Sequence, residues 1–235
     1  MIELKVKLFA DGADKSQMIE LYKNPLISGF TTNPTLMKKA GIKNYKEFAL
    51  DILSIIKDKS ISFEVFSDDF SEMKKQAIEI ASWGSNVYVK IPITNTKGES
   101  SYNLIEDLSL HGIKLNVTAM MTIEQVKSIL PALSKGPDGY VSVFAGRIAD
   151  TGVDPIPTMA DIVVLLKDYT NIELIWASQR ELFNIIQADQ IDCHIITVTT
   201  DTIKKLSMIN KNLTEFSLDT VKMFYKDACE AGFTI

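Results

Sequence analysis

Eight short runs of β-branched and aromatic residues recur along the chain, with helical spacing filling the intervals between them. The runs cover residues 6–10, 27–31, 61–66, 87–93, 114–119, 140–145, 172–176 and 194–198, and their size and residue types are those of buried strands. Helical periodicity is clearest at 71–83, 122–133, 159–169 and 202–209. Strands joined through helices require parallel crossovers. Eight such units in 235 residues fit a closed (β/α)8 TIM barrel better than an open doubly wound sheet. The expected architecture is therefore a single α/β domain spanning 1–235. A further helix at about 214–231, apolar at Leu218, Val221, Met223, Phe224 and Ala228, follows the eighth unit. It either closes the barrel or docks on a neighbouring subunit of a homo-oligomer.

Charge narrows the partners. A net charge of -5 offers no basic field to a nucleic-acid backbone, so a small anionic ligand would need a local positive site. No apolar run approaches a membrane span, and residues 1–7 lack the apolar centre of a signal peptide. Cys193 and Cys229 are too few for a disulfide framework and too far apart for a zinc knuckle. A reducing cytoplasm is the expected compartment, with neither nucleic acid nor membrane as partner.

In such a barrel the loops converge on the C-terminal ends of the strands, so functional side chains gather there. The polar residues at or just beyond those ends are Asp11, Asn33, Glu64, Lys90, Asn116 with Thr118, Ser142 with Arg147, and Ser178 with Arg180. Only the eighth run brings none.

Lys90 stands in Val87-Tyr-Val-Lys-Ile-Pro-Ile, among apolar neighbours. An ammonium buried there without a full counter-charge would lose its proton more readily, and a neutral amine attacks carbonyls. Taken alone, the residue reads equally well as a structural lysine snorkelling from a strand end. Asp11 and Glu64, on the first and third strand ends, would face the same mouth and could divide the proton transfers of a Schiff-base cycle. Either carboxylate could instead cap a helix; for Asp14, before the stretch 15–21, the cap is the preferred reading.

The chain's only arginines, Arg147 and Arg180, follow the sixth and seventh strands. A planar guanidinium binds phosphate oxygens in pairs, and barrel phosphate sites favour the late loops. Ser178, read as opening the helix after the seventh strand, would add a hydroxyl and helix N-terminal amides. Surface ion pairing is the alternative for both arginines. Neither GxGxxG nor a Walker loop occurs, and His111 and His194 lie in no metal-ligand pattern. A lysine mechanism needs no metal and no cofactor. Met120 and Met121 read as packing.

Five ordered motifs carry a family likeness: Thr31-Thr-Asn-Pro-Thr-Leu, Val89-Lys-Ile-Pro-Ile-Thr, Asn116-Val-Thr, Ser142-Val-Phe-Ala-Gly-Arg-Ile and Ala177-Ser-Gln-Arg. Together they resemble the transaldolases and the related fructose-6-phosphate aldolases over nearly the whole chain. The resemblance implies that Lys90 forms an imine with a ketose phosphate and that Asp11 takes the proton from the hydroxyl beside the breaking bond. It implies that Glu64 and Thr118 hold a catalytic water, and that Asn33, Asn116 and Ser142 bind hydroxyls of a dihydroxyacetone unit. Arg147, Ser178 and Arg180 would bind the terminal phosphate.

Within this group, transaldolases are similar to the chain at Phe144 and Glu64, where the aldolases tend to carry tyrosine and glutamine. A phenyl ring cannot protonate the enamine, so the expectation is transfer to an acceptor. Release of free dihydroxyacetone is the first alternative and a noncatalytic sugar-phosphate-binding barrel the second. The chain departs from the family pattern at Asp11, set in Ala-Asp-Gly-Ala-Asp, at Thr35 for a common serine, and at Gln179 for a common phenylalanine.

Overall fold

The structure is a computed structural model describing residues 3–234. Its strands are β1 (Lys7–Asp11), β2 (Ile27–Thr31), β3 (Ser60–Glu64), β4 (Val87–Pro92), β5 (Leu115–Met120), β6 (Gly139–Val143), β7 (Ile172–Trp176) and β8 (Ile195–Val198). They pair in parallel in sequence order, and β8 returns to β1, so the sheet closes on itself. This is the expected TIM barrel.

Strand alternation sorts the side chains into two cores. Val89, Ile91, Val117, Val141 and Leu174 point outward into the larger core beneath the helices. Phe9, Tyr88, Tyr140, Ile175 and Ile195 point inward and plug the barrel, with Tyr88 stacked on Tyr140 at 4.1 Å between ring centroids and Phe9 edge-on to Tyr140 at 5.7 Å. Gly29 makes room for this plug, because a Cβ there would lie 2.6 Å from the Phe9 ring. Two residues further along seven of the strands, on the same face, stand Asp11, Thr31, Ser62, Lys90, Ser142, Ala177 and Thr197. The aromatic layer is thus the floor of a polar mouth.

The expected simple alternation is interrupted twice. Two helices, Pro34–Lys39 and Tyr45–Ile55, lie between β2 and β3, and two more, Ala145–Asp150 and Ile156–Leu165, between β6 and β7. Gly41, at φ +70°, leaves the first helix in a left-handed turn, and the Asn44 side chain then caps the second by accepting from the Glu47 N–H. Gly152, at φ +82°, and Pro155 make the second break. The expected helix at 159–169 starts earlier and ends in a 3-10 turn over Leu166–Asp168, while that at 202–209 is a short helix, Thr200–Lys204, followed by a 3-10 turn. Asp14 is an N-cap, accepting from the Gln17 N–H.

The last helix, Leu213–Ala231, is capped by Asn212 and ends at left-handed Gly232. Strand pairing alone closes the barrel, and none of this helix's residues is buried: Leu213, Val221, Phe224 and Tyr225 are all exposed. Among the described residues no helix is long and apolar enough to cross a membrane.

Candidate active site

A cavity of about 120 Å³ opens at the C-terminal mouth, with Lys90, Asp11, Thr118, Ser142, Phe144 and Arg147 in its wall. Asn33, Ser178, Thr31, Thr197 and Ala177 complete the lining. A wider groove of about 780 Å³ runs between Arg180, Phe183, Met208 and Phe216, outside the mouth and away from Lys90. Volume alone would choose that groove, but it is the smaller cavity that a buried lysine, Lys90, and the Asp11 carboxyl line together.

Lys90 is 6% exposed. Its Nζ lies 3.0 Å from Glu64 Oε2 and donates to the Thr32 carbonyl oxygen at 3.0 Å. The sequence expectation of an ammonium lacking a full counter-charge is therefore corrected: β3–β4 register sets Glu64 opposite Lys90, and the carboxylate supplies that charge. The same contact makes Glu64 the nearest base to the amine.

Asp11 ends β1 and accepts from the Thr31 hydroxyl at 2.8 Å. Burial pushes its carboxyl above the usual carboxylate range, against the opposing pull of the Lys90 charge and the Thr31 hydrogen bond, while the Glu64 charge adds to the rise. Thr118 Oγ1 is buried on the cavity wall and has no hydrogen-bond partner among the described residues. The strand bulges just beyond it: β5–β6 register slips between Val117 and Met120, and Ala119 sits at φ +65°. A left-handed alanine costs about 1–2 kcal/mol, and such strain gathers where a side chain must be aimed.

Asn116 is fully buried, held between Ser62 Oγ at 3.0 Å and Ser142 Oγ at 2.7 Å. Asn33 caps the helix Pro34–Lys39 through its side-chain oxygen, which leaves its NH2 group to the cavity. Phe144 packs on the aromatic plug, and the Arg147 guanidinium lies 5.3 Å above its ring. Cys193 is buried with its thiol pushed up to about 12, unsuited to nucleophilic work.

The two arginines differ. Arg147 lines the cavity and forms no ion pair among the described residues. Arg180 is forked onto Asp150, Nε to Oδ1 at 2.8 Å and Nη2 to Oδ2 at 2.5 Å, and its Nη1 donates to Ser178 Oγ at 3.0 Å. Its hydrogen bonds hold the Asp150 carboxyl below the usual range. Ser178 does not open a helix. It sits at φ +65°, and the next helix, Phe183–Gln190, begins five residues later, so no helix N-terminal amides accompany it.

Several contributors were not singled out from sequence as working groups. Thr31 and Ser62 carried no charge to mark them, although both share the inward period of β2 and β3. Thr197 gives the eighth strand a polar group at the mouth. Tyr45, whose hydroxyl reaches the Glu64 backbone, lies on a helix that sequence periodicity did not place at the site.

Residues 8–235 match the Transaldolase/Fructose-6-phosphate aldolase family. A protein of Thermoanaerobacter named "Probable transaldolase" is 35% identical over 224 residues, covering 95% of this chain and 98% of that protein. Another of that name from Dehalococcoides mccartyi is 36% identical over 194 residues, covering 82% and 86% respectively. Dihydrodipicolinate synthase from Rhodopseudomonas palustris is similar in fold alone, with a TM-score of 0.56 at 11% identity over 82% of this chain and 69% of that one. The chain belongs to the transaldolase/fructose-6-phosphate aldolase family.

Proposed function

We propose that the protein is a transaldolase that carries a dihydroxyacetone unit on Lys90. The observation that supports this most is the placement of Lys90 Nζ between Glu64 and the Thr32 carbonyl, in a cavity that Asp11 also lines. Glu64 accepts a proton from the ammonium, and the freed amine attacks the C2 ketone of a ketose phosphate. Loss of water leaves an imine whose nitrogen withdraws electrons as the C3–C4 bond breaks. Asp11 takes the C4 hydroxyl proton, and burial, which raises its carboxyl above the usual carboxylate range, makes it the stronger base for that step. The aldose phosphate departs, and the three-carbon enamine waits for an acceptor aldehyde.

Thr118 and Glu64 hold the water that forms and hydrolyses the imine, which gives the unpartnered Thr118 hydroxyl a ligand. Asn33, Asn116 and Ser142 bind the hydroxyls of the carried unit. Arg147, Ser178 and Arg180 bind the phosphate, Arg180 turning to it from Asp150. Fructose 6-phosphate and erythrose 4-phosphate would thus exchange to sedoheptulose 7-phosphate and glyceraldehyde 3-phosphate.

Borohydride reduction in the presence of fructose 6-phosphate tests the reading. A three-carbon adduct on Lys90, lost in Lys90→Ala, is the expected result; turnover without an adduct would overturn the Schiff base, and neither adduct nor turnover would leave only a binding protein. Rapid donor cleavage without acceptor would instead assign a class I aldolase. The exposed apolar helix Leu213–Ala231 supports a homo-oligomer, checked by light scattering of the full chain against a chain ending at Asn212.

A further inference from the structure

We infer that Tyr45 is a positioning residue for the Glu64–Lys90 pair, acting as a substitute rung in the barrel ladder. In a parallel ladder the rung after the Thr32 N–H to Ser62 carbonyl bond, present here at 3.1 Å, runs from the Glu64 N–H to the Thr32 carbonyl. That rung is diverted. The Glu64 N–H donates to the Tyr45 hydroxyl at 2.8 Å, and the Thr32 carbonyl accepts from Lys90 Nζ at 3.0 Å instead.

The following rung would need an N–H at residue 34, which is Pro34 and has none. There the Tyr45 hydroxyl serves again, donating to the Glu64 carbonyl at 2.9 Å. One phenol therefore satisfies both β2-facing backbone groups of Glu64 and releases a β2 carbonyl to the reactive lysine. The phenol itself is held by its ring, packed edge-on against Phe63 and Phe66 and tilted on Trp83. It is also set by Asn44, which starts the helix at that residue.

This inference rests on the proposed role of Lys90 for its kinetic consequence, whereas its structural consequence stands independently. The test is Tyr45→Phe, which keeps the ring and removes only the hydroxyl, with Trp83→Phe as a control that alters the same aromatic cluster. A crystal structure of Tyr45→Phe is expected to show the Glu64 N–H bonded to the Thr32 carbonyl, with Lys90 Nζ withdrawn from it. The rate of borohydride-trapped adduct formation on Lys90 should fall by roughly tenfold, the equivalent of one hydrogen bond to a charged group, with the donor KM within about twofold of the parent. Trp83→Phe should leave both constants in place.

An unchanged Thr32–Lys90 contact in that crystal structure would overturn the inference, as would an unchanged trapping rate in a parent protein that does form the adduct. If the parent forms no adduct, the Schiff-base reading fails, and the crystal structure still decides the role of Tyr45.

Discussion

A Cβ placed on Gly146 would lie 1.6 Å from the carbonyl oxygen of Ser178. The helix Ala145–Asp150 after β6 and the loop after β7 thus touch backbone to backbone, and left-handed Ser178 is held at that crossing beside Arg147 and Arg180. Gly146→Ala must push this helix and the loop apart. It is expected to cost about 1–3 kcal/mol in urea unfolding and to raise the KM for phosphorylated sugars more than kcat falls. An unchanged KM would separate this crossing from phosphate binding.

Glu64 and Lys90 should be energetically coupled. Glu64→Gln leaves a buried ammonium without its counter-charge and is expected to destabilise by about 3 kcal/mol, whereas Glu64→Gln with Lys90→Met should recover much of that loss. Additive losses in the double-mutant cycle would show that the pair contributes no coupling.

Asp11 carries a pH signature. Its folded carboxyl lies above the unfolded one because burial disfavours the charge, so the unfolded chain gives up the proton first as pH rises. The penalty is absent below the ordinary carboxylate range, grows as pH rises through it, and is complete above the folded pKa. Asp11→Asn should therefore be more stable than the parent at neutral pH, with the gain vanishing as pH falls through and below about 4. Urea titrations across that window check the sign. The same variant should lose carbon–carbon cleavage.

Arg147 and Arg180 should not behave alike. Arg147→Ala is expected to raise the KM for phosphorylated donors by roughly tenfold or more and to leave unphosphorylated analogues nearly unaffected. Arg180 must leave Asp150 to reach a phosphate, so Asp150→Asn should lower that KM, the opposite direction. Equal effects on phosphorylated and unphosphorylated sugars would remove the anion from the account.

Phe144 governs the fate of the enamine in the proposed cycle. Phe144→Tyr places a hydroxyl in the cavity wall and should speed donor cleavage in the absence of acceptor, measured as free dihydroxyacetone. If cleavage stays acceptor-dependent, protonation is controlled elsewhere.

Residue patterns alone carried the barrel and its inward faces. Eight β-branched runs required parallel crossovers, and the two-residue period from Tyr88 to Lys90 set the lysine one layer above an aromatic floor. Position at the C-terminal ends of their strands marked Asp11, Glu64, Thr118 and Ser142 as neighbours of one mouth. A strand period states which face a side chain takes, but it is silent about the partner across the barrel. Tyr45 carries no mark in the sequence because its working atom, the hydroxyl, meets the Glu64 backbone, a contact that residue types do not display.

Tertiary structure decided the rest, through contacts between residues 19, 30 and 58 positions apart: Tyr45 with Glu64, Arg180 with Asp150, and Lys90 with Thr32. Each depends on where one ladder ends and its neighbour continues. Local periodicity made Lys90 an inward lysine. Barrel closure brought Glu64 and the Thr32 carbonyl to it, because a buried charge requires partners and only the register of separate strands can supply them.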